Sequence, residues 1–278
     1  MLSSKVTSCF FITGFYFFIT GCGYKKEQNK VAFNATKTNS IKLLQSNNLA
    51  YSYRTFTITD TACKIGMGCT NVEIKYPTFK NGLKLKSFID QQLLEFMEAF
   101  KTVTNIDVAF KAYQKNLVAS LDSTTDEDGT SLSYSQLRID VLSQYLELII
   151  LERDDEMGGG AHPNHNYSFI NWDRNSDSSI SLNDIFVKGY KLELRQIAES
   201  TFRTDKNLKQ TGCLTGFNFE NDKFTLSSDF YLNDKGITFF YQIYSIAPYS
   251  EGPTELLIPY KSIKHLLRPN TVLSQFIN

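Results

Sequence analysis

The chain has 278 residues, and its 29 Lys+Arg balance 29 Asp+Glu, so the formal net charge is zero. Apolar residues make up 42% and aromatics 14%, ample for a packed core, which excludes wholesale disorder. Neutrality without clustered basic charge removes the counterion-releasing footprint that a nucleic-acid binder needs.

In chain order, Met1 to Lys5 form a short basic n-region, followed by an uncharged run from Val6 to Gly21 dense in Phe10, Phe11, Phe15, Phe17, Phe18 and Ile19. The run is shorter than the ~20 residues of a bilayer span and suits the h-region of a signal peptide. It ends Ile19-Thr20-Gly21-Cys22, a pattern that resembles a bacterial lipobox, in which the cysteine receives lipid before cleavage. Residues 1–21 are therefore expected to be a lipoprotein signal peptide, with Cys22 the lipidation site. Several acyl chains on one residue anchor a protein stably, where a single chain does not. The polar stretch 22–48 reads as a flexible tether reaching roughly 25–30 Å. Export to the cell envelope follows, with the protein held on the outer membrane facing the periplasm.

Cys9 then leaves with the leader, and Cys63, Cys69 and Cys213 remain. In an oxidising compartment these suit one disulfide and one free thiol. The glycine-containing loop Cys63-Lys-Ile-Gly-Met-Gly-Cys69 favours a local bridge, with a bridge from either cysteine to Cys213 as the alternative. On the first pairing Cys213 is expected to be buried as a small apolar residue.

The body starts with an alternating strand at 70–76, ended by Pro77. Leu85, Phe88, Ile89, Leu93, Phe96, Met97 and Phe100 recur at helical spacing, and Ile106, Phe110, Tyr113, Leu117 and Leu121 repeat the pattern in a second helix. An acidic loop at 123–130 follows. Strands are predicted at 131–141, 145–152 and 166–173, a helix at 190–203, strands at 237–245 and 254–260, and a short helix at 262–267. Asn233-Asp234-Lys235-Gly236 is turn chemistry. This succession predicts an α+β fold of mixed helix and largely antiparallel sheet in two packed subdomains, 49–157 and 158–278.

Two stretches invite a reading as metal sites. Gly158-Gly159-Gly160-Ala161-His162-Pro163-Asn164-His165 follows Asp154, Asp155 and Glu156, and imidazole with carboxylate suits zinc. A glycine-rich connection is, however, a poor support for ligands, so a structural loop is the preferred reading. Asp173, Asn175, Asp177, Ser181 and Asp184 fall where a calcium loop places oxygens. There Ser178 replaces the glycine of the sharp turn, and Asp184 is shorter than the bidentate Glu, so turn and capping bonds are preferred. No metal or cofactor is expected. There is no GxSxG elbow, HExxH, P-loop or Cys–His signature, so no enzyme is expected either. The turn from Tyr244 to Pro253 carries Tyr249 and Glu251, suited to protein or glycan contact.

GGGAHPNHNYSFINWD, ISLNDIF and GITFFYQIYSIAPYSEGPTELLIPY resemble the successive signatures of a bacterial extracytoplasmic domain. It forms the lysozyme-binding ectodomain of RsiV-type anti-sigma factors and an accessory region of PdaC-type peptidoglycan deacetylases. VEIKYPTF and the helix after it are similar to its N-terminal half. The resemblance covers about 70–265 and implies an α+β fold in two halves. It implies neither σ-factor regulation nor deacetylation, because the segments for those activities are missing. The expected role is a non-enzymatic binding module for lysozyme-like proteins or peptidoglycan, with His162, His165, Tyr249 and Glu251 as candidate contacts. The alternatives are a metal-dependent hydrolase of envelope glycans using His162, His165 and the 154–156 carboxylates, and a structural envelope lipoprotein.

Overall fold

Strand order follows from where the chain alternates and where it does not. The computed structural model describes residues 49–59, 71–97, 103, 105–123, 134–158 and 162–277. The leader 1–21, Cys22 and the tether to 48, the Cys63–Cys69 loop, and nearly all of the acidic loop 123–130 lie outside the described residues. Strand β1 (Tyr51–Thr59) pairs antiparallel with β2 (Asn71–Phe79). Strand β2 then runs parallel to β3 (Tyr134–Gln144). A parallel pair needs a long crossover, and helices α1 (Leu83–Phe96) and α2 (Ile106–Ser123) lie within it. Strands β4 (Leu148–Met157), β5 (Asn164–Asp173) and the short β6 (Ser178–Ser179) complete an antiparallel continuation, giving a six-stranded sheet in sequence order. A second sheet has the order β7 (Phe230–Leu232), β8 (Gly236–Tyr241) and β9 (Thr254–Pro259). Helices α3 (Leu182–Ile185), α4 (Lys191–Asp205) and α5 (Tyr260–Ile263) accompany it. The fold is α+β, as expected.

Two cores result. In the first, Leu85, Ile89, Leu93 and Met97 form one stripe of α1, and with Ile106, Ala109 and Phe110 of α2 they cover one face of the large sheet. They pack on Val72, Ile74, Leu137, Ile139, Ile149, Leu151, Ile170 and Trp172. In the second, Leu194, Ala198 and Phe202 of α4 pack on Ile237, Phe239, Leu256 and Ile258 of the small sheet. Strand β4 joins the two. Leu148 and Ile150 belong to the second core, whereas Ile149 and Leu151 belong to the first. That unbroken apolar run is the mark of a strand buried on both faces. Beyond Leu151 the run gives way to Glu152-Arg153-Asp154-Asp155-Glu156.

Several expectations shift. Strand β1 was not anticipated, although Tyr51, Tyr53, Phe56 and Ile58 interleaved with threonines are strand-forming chemistry. Strand β4 runs on through the acidic stretch to Met157, because cross-strand partners on β3 and β5 accept those charges. The break expected between 157 and 158 thus falls in the connection between two paired strands of one sheet. Strand β8 ends at Tyr241, and the chain turns away with Tyr244 at φ 68°. Cys213 is exposed rather than buried. It sits in the polar turn after α4, where its thiol donates to Asp222, which holds the thiol pKa above its ordinary value. Among the described residues no helix is long and apolar enough to cross a membrane.

Candidate functional site

Alternation in a strand sends every second side chain to the face opposite the first core. On β2 these are Glu73 and Lys75; on β3, Tyr134, Gln136, Arg138 and Asp140; on β4, Glu152, Asp154 and Glu156; on β5, His165, Tyr167 and Phe169. Register sets them in rows. Gln136, Glu156 and His165 form one row, Arg138, Asp154 and Tyr167 the next, and Asp140, Glu152 and Phe169 the third. The result is a partly exposed platform on which the carboxylates of Glu73, Asp140, Glu152, Asp154 and Glu156 outnumber the cations Lys75 and Arg138.

Each row is wired. Lys75 Nζ lies 2.8 Å from Asp140 Oδ1. Gln136 Nε2 donates to Glu73 Oε1 at 2.8 Å, and Gln136 Oε1 accepts from the Tyr134 hydroxyl at 2.7 Å. Asp154, 2% exposed, receives Arg138 Nη2 on Oδ2 at 2.8 Å and His165 Nδ1 on Oδ1 at 3.0 Å. His165 Nε2 faces Glu156 Oε1 at 4.0 Å, and its ring stacks on Tyr167 with an interplanar angle of 4°. Burial, and secondarily the charge of Asp154, raises the Glu152 carboxyl above its ordinary value. The same two causes push Tyr167 up to about 12, so its hydroxyl is a proton donor at neutral pH. Arg153 and Asp155 point the other way and pair with each other at 2.9 Å.

One rim of the platform is aromatic. His162 stacks on Tyr249 with ring centroids 3.7 Å apart, and its Nε2 lies 2.9 Å from the Tyr244 hydroxyl. Its Nδ1 is 3.2 Å from the Pro163 carbonyl, an acceptor only, so Nδ1 is the donor of that bond. Tyr244 is 53% exposed in its left-handed conformation. Behind this rim Gln242 bridges the two sheets. Its amide donates to the Tyr167 carbonyl and accepts from the Tyr167 N–H, so one side chain serves β5 as a neighbouring strand would.

The sequence candidates therefore divide. His162 and Tyr249 meet at the rim, and Glu251 lies exposed at the end of the turn Tyr249–Glu251. His165 belongs instead to the platform, on a strand rather than in the glycine-rich connection. The ligand set combining both histidines with Asp154, Asp155 and Glu156 is not assembled; Asp154, Glu156 and His165 alone come together. Tyr244, the first residue of the aromatic turn, joins His162 and Tyr249 at the rim, although Tyr249 and Glu251 alone were expected from that turn. The calcium-like turn spends its oxygens internally. Asp173 accepts from Asn175 N–H and the Ser176 hydroxyl, Asp177 from the Trp172 indole, and Asp184 from Ser181. The Ser181 bonds hold the Asp184 carboxyl below its ordinary value.

Residues 183–261 match the model of a family described as "Protein of unknown function (DUF3298)". Among solved structures, a DUF3298 family protein from Pseudomonas aeruginosa PAO1 superposes with TM-score 0.63 at 25% identity, over 80% of this chain and 96% of that one. A DUF3298 family member from Bacteroides fragilis NCTC 9343 gives TM-score 0.63 at 22% identity, over 83% and 99%. No curated protein matches the chain. The matched segment holds most of the second core and the Tyr244–Tyr249 turn, whereas the platform strands β2 to β5 precede it.

Proposed function

We propose that the chain is a non-enzymatic cell-envelope binding module, tethered through Cys22, which docks a basic protein of the lysozyme type on its acidic platform. The observation that carries this reading is the excess of carboxylates on the open face of β2 to β5. A surface of one sign attracts a partner of the other and speeds encounter. The resemblance to the lysozyme-binding ectodomain of RsiV-type anti-sigma factors supports the same partner class. The lipobox supports attachment at the outer membrane, facing the periplasm, and the motif survey supports a role without catalysis.

A second reading has its own observation. Stacked His162 and Tyr249 beside exposed Tyr244 suit the apolar face of a sugar ring, which favours peptidoglycan. One experiment separates them: the purified protein is offered c-type lysozyme in one arm and purified sacculi in the other. Capture of lysozyme that survives Tyr244→Ala supports the platform, and capture of sacculi lost in that variant supports the rim. Failure to retain either would remove the binding reading and leave a structural lipoprotein.

A further inference from the structure

We propose that Glu156 and His165 bind a zinc ion, with Asp154 as the positioning residue that orients the imidazole. Asp154 Oδ1 lies 3.0 Å from His165 Nδ1 and occupies that side of the ring, which leaves Nε2 as the atom that faces Glu156. Nε2 faces Glu156 Oε1 at 4.0 Å. That gap is too long for a hydrogen bond and leaves room for an ion between the two atoms. Zinc–imidazole bonds of about 2.0–2.1 Å and zinc–carboxylate bonds of about 2.0–2.2 Å span it.

The surroundings fit the same ion. Asp154 is nearly fully buried, and Arg138 holds its second oxygen at 2.8 Å, so the carboxylate is fixed in place. A buried carboxylate on the far nitrogen of a ligating histidine is the arrangement that sets ring orientation and raises ligand basicity at metal sites. Glu156 and His165 are directly paired across β4 and β5, so neither depends on the glycine-rich connection. The ligand-type atoms of Asp154, Glu156 and His165 all lie within 4.8 Å of one another. Mixed nitrogen and oxygen donors suit zinc, whereas calcium and magnesium prefer oxygen throughout. This site stands independently of whether a protein docks there.

The test is equilibrium dialysis of the full-length protein, purified in detergent and stripped with chelator, against zinc, with bound metal counted by atomic emission. The expected result is saturable, stoichiometric uptake that is lost in H165Q and in E156Q, retained in H162A, and weakened roughly 10–100-fold in D154N. Far-UV circular dichroism checks that each variant is folded, and if D154N unfolds, H165Q and E156Q decide the matter. Absence of saturable uptake, or uptake that survives both H165Q and E156Q, overturns the proposal. The second outcome would place the ion elsewhere, for instance on the cysteines.

Discussion

Asn171 shows how much one side chain does where the two sheets meet. It is 3% exposed, its amide donates to the Phe230 carbonyl, and its carbonyl accepts from the Leu232 N–H. It thereby satisfies backbone groups at the outer edge of β7, as Gln242 does for β5. Asn171→Ala strands both groups in a dry interface, and each such loss costs roughly 1–3 kcal/mol. Urea unfolding should show the variant less stable by about 2–4 kcal/mol. Glu152 gives a pH signature of the opposite kind to a salt-bridged carboxylate. Its folded pKa is raised above the ordinary 4.5, so the folded state holds the proton more tightly than the unfolded state. The stabilisation this brings is complete below 4.5 and is lost as pH rises through the folded value. Glu152→Gln removes that dependence. The stability of the natural protein relative to the variant should therefore fall as pH rises from acid towards neutral, and a difference that grows over that range would contradict the placement of Glu152.

At the scale of elements, β8 is the most constrained strand, with every residue from Gly236 to Tyr241 buried. A Cβ at Gly236 would run into the Ile258 carbonyl of β9, which is backbone and has nowhere to move. Gly236→Ala should destabilise by about 1–3 kcal/mol or more, seen as a lower urea midpoint. Elements also show what the sequence made legible. The stripe Leu85, Ile89, Leu93 and Met97 repeats at helical spacing, and all four are buried. That periodicity is local, and a single chain displays it. The acidic end of β4 is different. Its charges are tolerated because Arg138, His165 and Tyr167 lie across from or beside them, and those partners come from strands far along the chain or beyond a turn. Nothing local marks Asp154 as buried. His165 was misplaced for the same reason, since its strand is defined by pairing with Glu156 rather than by its own neighbours. Cys213 was different again: the polar run Lys206 to Gly212 before it signalled exposure.

At the scale of the whole molecule, the second core covers only the start of β4. One end of the large sheet is therefore sandwiched, while the other presents a charged face with an aromatic rim. That asymmetry links the fold to the proposed docking of a basic protein. The most direct measurement is calorimetric titration of c-type lysozyme into the purified protein across a series of salt concentrations, repeated with Glu73→Lys. Saturable binding is expected, weakening as salt screens the platform and weakening further when the carboxylate is reversed. Binding indifferent to both salt and Glu73→Lys, or no binding at low salt, would contradict it.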